Sequence, residues 1–380
     1  MILPLTRVRI AVQLNRWPLL LPLLMLGFIL SACLAVENRS ADDSPDAVES
    51  PDSARPTVPP PTPVPSGGFL RLDGLTTRQV VVWDAELPAE FATTRTSLYR
   101  RSANRNWTRV GDLPIEGRLI ADPSDPDLLY LGDHPPCLSE GDPIPFYRST
   151  DGGETWQEVQ EVRNIRPILV WPADNDVIIG SQCGLAISQD RGVTWERHLP
   201  ESEFDLTRLA VTQLGLYGVF TSERDISYLR RLRLEDPDQP EFDEPIISFW
   251  GPGAIHATGD RILVGEPGGI HFSDDGGRTW STTRDGLDDV IASVDPLEED
   301  IPETELEEGL GIFALESDPA SSSRIFLGTI RGLYISEDGG RSWGRSAEVD
   351  EVRVQQLDFA LSGSILYVTT DDGVVVLHNP

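Results

Sequence analysis

The chain has 380 residues, 39% of them hydrophobic, and a formal charge of −31. That length fits one large domain or two small ones and supplies enough apolar residues for a core. All 31 basic residues are arginine. So negative a surface repels the phosphates of nucleic acid and anionic lipid heads, which excludes a general nucleic-acid role.

The N-terminal segment carries Arg7, Arg9 and Arg16 and then the apolar run WPLLLPLLMLGFIL. Its 14 residues are short for a membrane span and suit the core of a signal peptide. The run ends in Leu30-Ser31-Ala32-Cys33, which resembles a bacterial lipobox. That resemblance implies a lipoprotein signal peptide over 1–32, removed so that a lipidated Cys33 becomes the mature N-terminus. Several acyl chains on one cysteine hold a protein firmly to a membrane, whereas one holds weakly. Residues 33–66 then form a linker rich in Pro, Ser and Asp. It cannot bury enough apolar surface to offset its ordering entropy. Its PTVPPPTPVP portion is an extended, semi-rigid spacer.

From residue 67 to 380 the chain repeats itself. The octets STDGGETW at 149, SQDRGVTW at 188, SDDGGRTW at 273 and SEDGGRSW at 336 share Ser-x-Asp-x-Gly-x-(Ser/Thr)-Trp. They contribute Ser149, Asp151, Gly153 and Trp156; Ser188, Asp190, Gly192 and Trp195; Ser273, Asp275, Gly277 and Trp280; and Ser336, Asp338, Gly340 and Trp343. The tryptophans are spaced by 39, 85 and 63 residues. The middle gap is two units of about 40 residues, one of which has lost its octet, and the last is one unit with an insertion. Around the octets run short β-rich segments divided by Gly, Asp and Pro turns, with no sustained helical period. Octet-poor units read at 79–110, 206–249 and 354–378. The last lacks its outer strand, and FLRLD at 69–73 is the candidate to complete it and close a ring. The expected fold is all-β, a seven-bladed propeller, with six or eight blades as alternatives.

Within the octet an Asp side chain can accept bonds from the N–H groups just after it. Glycine two residues later permits positive φ. The tryptophan offers a large ring to bury between blades. The set resembles the Asp-box (BNR) repeat family of propellers, which includes sialidases, other glycoside hydrolases, sortilin-type receptors and the photosystem II assembly factors of plants and cyanobacteria. The resemblance covers about residues 69–380 and implies that the boxes are scaffold, on the face opposite the usual ligand site.

That other face holds the candidates. Arg78, Arg118, Arg166, Arg208 and Arg353 each fall at or near the start of an innermost strand, so they can ring one mouth of the channel as a site for an anion or partner. Alternatively they pair with carboxylates such as Asp122. Cys137 and Cys183 sit in B–C loops of adjacent blades, where an oxidising compartment would let them bridge. The stretch DPLEEDIPETELEEG, residues 295–309, lacks the ligand order of a calcium loop and reads as a solvated connection. The Arg-Ile-Pro motif expected of sialidases does not occur, and His134, His198, His256, His271 and His378 show no metal spacing. No catalytic residue, metal or cofactor is assigned. The expectation is a monomeric, non-enzymatic lipoprotein on the outer face of a bacterial cell membrane, binding a protein or carbohydrate. The alternative is an exported glycoside hydrolase, whose two carboxylates no pattern singles out.

Overall fold

The computed structural model describes residues 66–380 apart from 84–88, 103–105, 136–140, 172–175, 199–203, 213–214, 223–225, 252, 292–310 and 361. The chain divides into two units, Met1–Pro59 and Pro60–Pro380, and the second holds all the described residues. The expected signal segment 1–32, Cys33, the expected linker as far as residue 65, Cys137 and the acidic stretch 295–309 lie outside them.

A short strand β1 (Gly68–Phe69) and a hairpin of β2 (Arg71–Leu72) and β3 (Leu75–Thr76) precede the first blade. Blade 1 is β4–β7 (Gln79–Trp83, Ala89–Thr93, Ser97–Ser102, Thr108–Asp112), and blade 2 is β8–β11 (Arg118–Asp122, Asp125–Gly132, Pro145–Ser149, Gln157–Arg163). Blade 3 is β12–β15 (Arg166–Val170, Ile178–Ser181, Leu185–Ser188, Glu196–His198). Blade 4 is β16–β20 (Phe204–Thr212, Gly215–Ser222, Ile226–Arg233, Glu241–Phe242, Ile247–Trp250). Blade 5 is β21–β24 (Ala254–Thr258, Arg261–Glu266, Gly269–Ser273, Ser281–Thr283), and blade 6 is β25–β28 (Ile312–Asp318, Ser321–Thr329, Gly332–Ser336, Gly344–Asp350). Blade 7 is β29–β31 (Val354–Phe359, Ile365–Thr370, Gly373–His378).

Each blade is an antiparallel meander. The first strands touch in a circle, β4 to β8, β12, β16, β21, β25, β29 and back to β4. This is the seven-bladed all-β propeller read from the repeat. In blade 4, which lacks a box, the outer position is split, with β19 and β20 both pairing with β18.

The ring closes where the sequence places it, over a shorter stretch. Gly68 and Phe69 lie opposite Val376 and Val375, and Gly67 and Leu70 add amide bonds to Val376 and Val374. Beyond Leu70 the expected strand turns back. Asp73 and Gly74 have φ of 51° and 77°, the paired positive values of a tight hairpin turn, and they fold β2 onto β3. A buried Glu90 takes bonds from Arg101 Nε at 2.7 Å and the Tyr367 hydroxyl at 3.0 Å, tying blades 1 and 7 across the same seam.

Both faces of a blade are covered by neighbours, so its middle strands read as continuous apolar runs. In β31, Val374 and Val376 pack towards blade 1 while Val375 and Leu377 pack towards blade 6. In β9, Leu128 and Tyr130 face blade 3 while Leu129 and Leu131 face blade 1. The period of two thus sorts one strand into two cores.

The boxes connect these cores. In each, the aspartate accepts the serine hydroxyl two residues before it and the amide and hydroxyl of the Ser or Thr four residues after it, as Asp275 does at 2.8, 2.9 and 2.7 Å. The serine hydroxyl in turn accepts the amide of the glycine four residues on, at 2.7–2.8 Å in all four boxes. That glycine lies against the preceding blade. A Cβ on Gly153, Gly192, Gly277 or Gly340 would come within 2.1, 3.1, 2.7 or 2.5 Å of Leu98, Tyr130, Tyr217 or Leu263. Trp156, Trp195, Trp280 and Trp343 pack into the same inter-blade clusters. A tryptophan ring buries roughly 150–250 Å². At about 25 cal/mol per Å² even half of that exceeds the roughly 1 kcal/mol of one hydrogen bond. The ring and glycine fasten blade to blade, and the aspartate shapes the turn that delivers them.

Two predictions follow from this geometry. Gly277→Ala meets both a φ of 83° and the Tyr217 hydroxyl, and is expected to cost about 2–4 kcal/mol in denaturant unfolding. Gly259→Ala, at φ 60° with open space around it, is expected to cost only about 1–2 kcal/mol; equal losses would contradict the seating against blade 4. The amide and hydroxyl of Thr279 hold Asp275 down to about 2, and Asp338, against the opposing pull of its own burial, is held at about 2 by Ser342, both below the ordinary 3.8. Such lowered carboxyls stabilise the fold fully above the ordinary value and lose that contribution as pH falls through the folded one. The Asp275→Asn, Asp338→Asn double variant should therefore be less stable than the parent at neutral pH, with the gap closing as pH falls from about 4 towards 2. A gap undiminished at the acid end would count against it.

Candidate functional site

The boxes lie beside the first turn of their own blades, as the amides of Gly152, Gly276 and Gly339 bonding to the carbonyls of Asp127, Asp260 and Ser323 show. That places Asp151, Asp190, Asp275 and Asp338 on one face. The innermost strands begin on the other. There a cavity of about 250 Å³ opens in the channel, lined by Arg118, Arg166, Arg208, Gln356 and Asp358 among others.

Three of the five arginines read from the sequence thus meet in one cavity. A fourth, Arg353, lies over the ring of the cavity residue Phe313, 4.2 Å from its centre. Arg78 is displaced, lining an adjoining cavity of about 390 Å³ with Glu116, Asp133 and Asp371. One signal was invisible in the sequence. The innermost strands of blades 3, 4, 6 and 7 each carry a register shift near the mouth, at Ile168, Thr207, Phe313 and Gln355, and all four of these residues line the cavity. Such bulges re-aim the side chains beside them.

The expected alternative, pairing with carboxylates, holds for one arginine. Arg166 Nε donates to Asp133 at 2.7 Å. Asp122 instead accepts the amide and hydroxyl of Ser124 at 2.8 and 2.6 Å in its own turn. Arg118 bonds to the neutral Gln356 at 2.9 Å, and Arg208 to the carbonyl of Thr207 at 2.8 Å. Among the described residues Arg78, Arg118, Arg208 and Arg353 have no ion pair. Arg208 is open to solvent through the channel yet walled by protein. Desolvation, and then the like charges of Arg118, Arg166 and Arg353, push it down to about 10. Burial also lowers Arg118, with Asp358 pulling the other way.

No sequence pattern singles out Gln356, Asp358 and Glu316 from so many polar residues. The one trace of them is polar residues inside innermost strands, VQQLDF and IFALESD. Burial raises Asp358 to about 6, against the pull of Arg118. Burial and then Asp358 raise Glu316 to about 8. Desolvation lowers His256 to about 4; it bonds to Thr258 and Ser317 at 2.8 and 3.0 Å.

A second cluster unites a serine, a histidine and an aspartate. His134 Nε2 lies 3.0 Å from Ser181 Oγ and 3.2 Å from Asp205 Oδ2, and the serine hydroxyl also donates to Asp205 Oδ1. A nucleophilic relay needs the carboxylate and the serine on opposite imidazole nitrogens. Here both meet Nε2, while Nδ1 lies 2.8 Å from the carbonyl of Pro135. The cluster is a joint between blades 2, 3 and 4. Beside it Cys183 occupies the turn between β13 and β14 with φ 51°; Cys137 lies outside the described residues. Among the described residues no three His, Cys, Asp or Glu side chains converge as a metal cage.

The BNR/Asp-box repeat model matches residues 147–158, the first box. No curated protein matches the chain. Among solved structures, YCF48 from Cyanidioschyzon merolae is 14% identical with a TM-score of 0.50, covering 84% of this chain and 97% of its own. A chain of the mitotic checkpoint complex is 13% identical with a TM-score of 0.50, covering 92% and 98%. The GH74 enzyme of Niastella koreensis is 15% identical with a TM-score of 0.43, covering 80% and 65%. At such identities the likeness is one of fold.

The crowding of arginines generates a prediction of its own. Arg208→Gln removes a charge repelled by three others, so its melting temperature should equal or exceed the parent's at low salt. Sulfate at millimolar concentration should raise the parent's melting temperature and leave the variant's nearly unmoved. Destabilisation of the variant without anion, or equal stabilisation of both by sulfate, would contradict this arrangement.

Proposed function

We propose that the chain is an exported, lipid-anchored and non-enzymatic binding module, whose propeller recognises an anionic group of a protein or glycan at the arginine-lined mouth of its channel. One observation carries the reading. Arg118, Arg166, Arg208 and Arg353 are brought together, with an ion pair among the described residues only for Arg166 and the charge of Asp358 acting on Arg118. Like charges held together in a walled channel, even one open to solvent as at Arg208 and Arg353, are unfavourable until a counter-charge arrives. A ligand anion would supply it, with bidentate bonding that guanidinium groups favour.

Attachment through Cys33, display on the outer face of a bacterial membrane by the 33–66 linker, and a monomeric state belong to the same proposal. So does a Cys137–Cys183 bridge, which the disulfide state of Cys183 supports. An oxidising compartment is where such bridges persist.

A second reading, an exported glycoside hydrolase, draws on Glu316 and Asp358. At neutral pH burial would keep Glu316 mostly protonated and leave Asp358 mostly ionised, the division of labour that acid and nucleophile require. Release of reducing sugar from polysaccharides or sialosides, lost in Glu316→Gln and Asp358→Asn, would establish the hydrolase in place of the binding module.

The binding reading is tested by capture. The parent and a variant with Arg118, Arg166, Arg208 and Arg353 all changed to Gln are each incubated with cell-surface extract. The parent should retain a partner that salt elutes and the variant does not hold; identical captures by both would sink the reading. Labelling with palmitate should be lost in Cys33→Ser.

A further inference from the structure

The anion site has a carboxylate in its wall. Asp358 lines the same cavity as Arg118, Arg166 and Arg208. Its orientation is fixed by chemistry. An arginine can only donate, so Arg118 Nη1 bonding to Gln356 at 2.9 Å must meet the amide oxygen. The Gln356 nitrogen is thereby turned towards Asp358 and donates to Oδ2 at 2.7 Å. That leaves Asp358 Oδ1 with no hydrogen bond among the described residues.

An anion held by these arginines meets that oxygen. A fully ionised oxyanion offers Asp358 only negative charge, whereas one that carries an O–H can donate to it. Resting on the anion-binding reading above, we propose that the channel selects an acid bearing its own hydroxyl, such as hydrogen phosphate, a hydroxy acid or a uronic acid sugar, with Asp358 accepting the hydroxyl while the arginines hold the charge. The roughly 250 Å³ of the cavity suits a small acid or the terminal residue of a longer chain. Asp358 Oδ1 is open to the channel rather than sealed, so a ligand that donates to it gains a bond, and one that cannot meets its negative charge instead.

The selectivity reverses with pH. The groups around Asp358 are Arg118 from β8, Glu316 from β25, Tyr367 opposite it on β30, and the cavity arginines 166 and 208. β4 contributes the Val80 carbonyl to Gln356 at 3.4 Å, and β26 packs apolar Phe326 against Phe359. Arg208 stays charged below about 10. Asp358 ionises near 6, so it accepts above that value and becomes a donor below it. Glu316, ionising higher, adds negative charge only towards the alkaline end.

The test is calorimetric titration of the full chain with phosphate and with sulfate. At about pH 8 hydrogen phosphate keeps one proton and sulfate none, and phosphate is expected to bind about ten-fold more tightly. At about pH 5 the protonated Asp358 can donate to sulfate, and the preference should vanish or invert. Asp358→Asn should lose the preference at the higher pH. Equal affinity of the two anions in the parent at about pH 8, or a preference that survives in Asp358→Asn, overturns the selectivity while leaving the anion site standing. Binding of neither anion at either pH overturns the anion-binding reading and the selectivity together. Should Asp358→Asn fail to fold, the two pH values in the parent decide the matter.

Discussion

Everything that gives this molecule a site depends on the ring being closed. A meander of seven sheets leaves two open edges unless the ends of the chain meet. They meet through a few backbone bonds, Gly67 to Leu70 against Val374 to Val376, reinforced by the buried Glu90, Arg101 and Tyr367. Closure brings blade 7 against blades 1 and 2. Only then can Arg118, early in the chain, bond to Gln356 near its end, and only then do Arg353 and Asp358 reach the arginines of blades 2 to 4. The binding face exists at the tertiary level alone, because no single blade contains two of the channel's arginines.

The two faces of the ring follow opposite rules. On the box face the indole N–H of Trp156, Trp195 and Trp343 is buried without a partner among the described residues, while the turn groups answer one another: serine, aspartate, glycine amide and Ser or Thr hydroxyl close on each other four times over. Such self-sufficiency is what a scaffold requires. On the other face charge is gathered with few partners, and a bulge in four of the seven innermost strands turns side chains into the channel. Proteins carry local disagreement of this kind at sites of function, and the surrounding blades must supply the stability that the site does without.

The boxes made most of the fold legible. Four copies of one octet counted the blades, and the gaps between Trp156, Trp195, Trp280 and Trp343 revealed both the blade without a box and the insertion before Ile312. Closure by the segment near Phe69 was legible from an incomplete last unit, although the turn at Asp73-Gly74 shortens it. The site was only half legible. Starts of inner strands marked Arg118, Arg166, Arg208 and Arg353, but strand position says nothing of bulges, and so Arg78 was grouped with them when it lines the next cavity. Gln356, Asp358 and Glu316 were hidden among the 62 acidic residues and the glutamines of the chain. What distinguishes them is the company they keep, Gln356 and Asp358 beside Arg118 and Glu316 beside Asp358, which arises from residues distant in sequence. The same limit explains why Asp122, and not Asp133, reads from the sequence as the partner of the channel arginines.

A cluster of arginines that outnumber their carboxylates in the channel is the claim on which the functional reading stands. Its most direct measurement is an anomalous-diffraction map of crystals soaked in arsenate, which carries both negative charge and a hydroxyl. The account predicts a peak within hydrogen-bond reach of Arg118, Arg166 and Arg208, with an arsenate oxygen against Asp358. Arsenate found only on the outer surface, with those three guanidinium groups unoccupied, would contradict it.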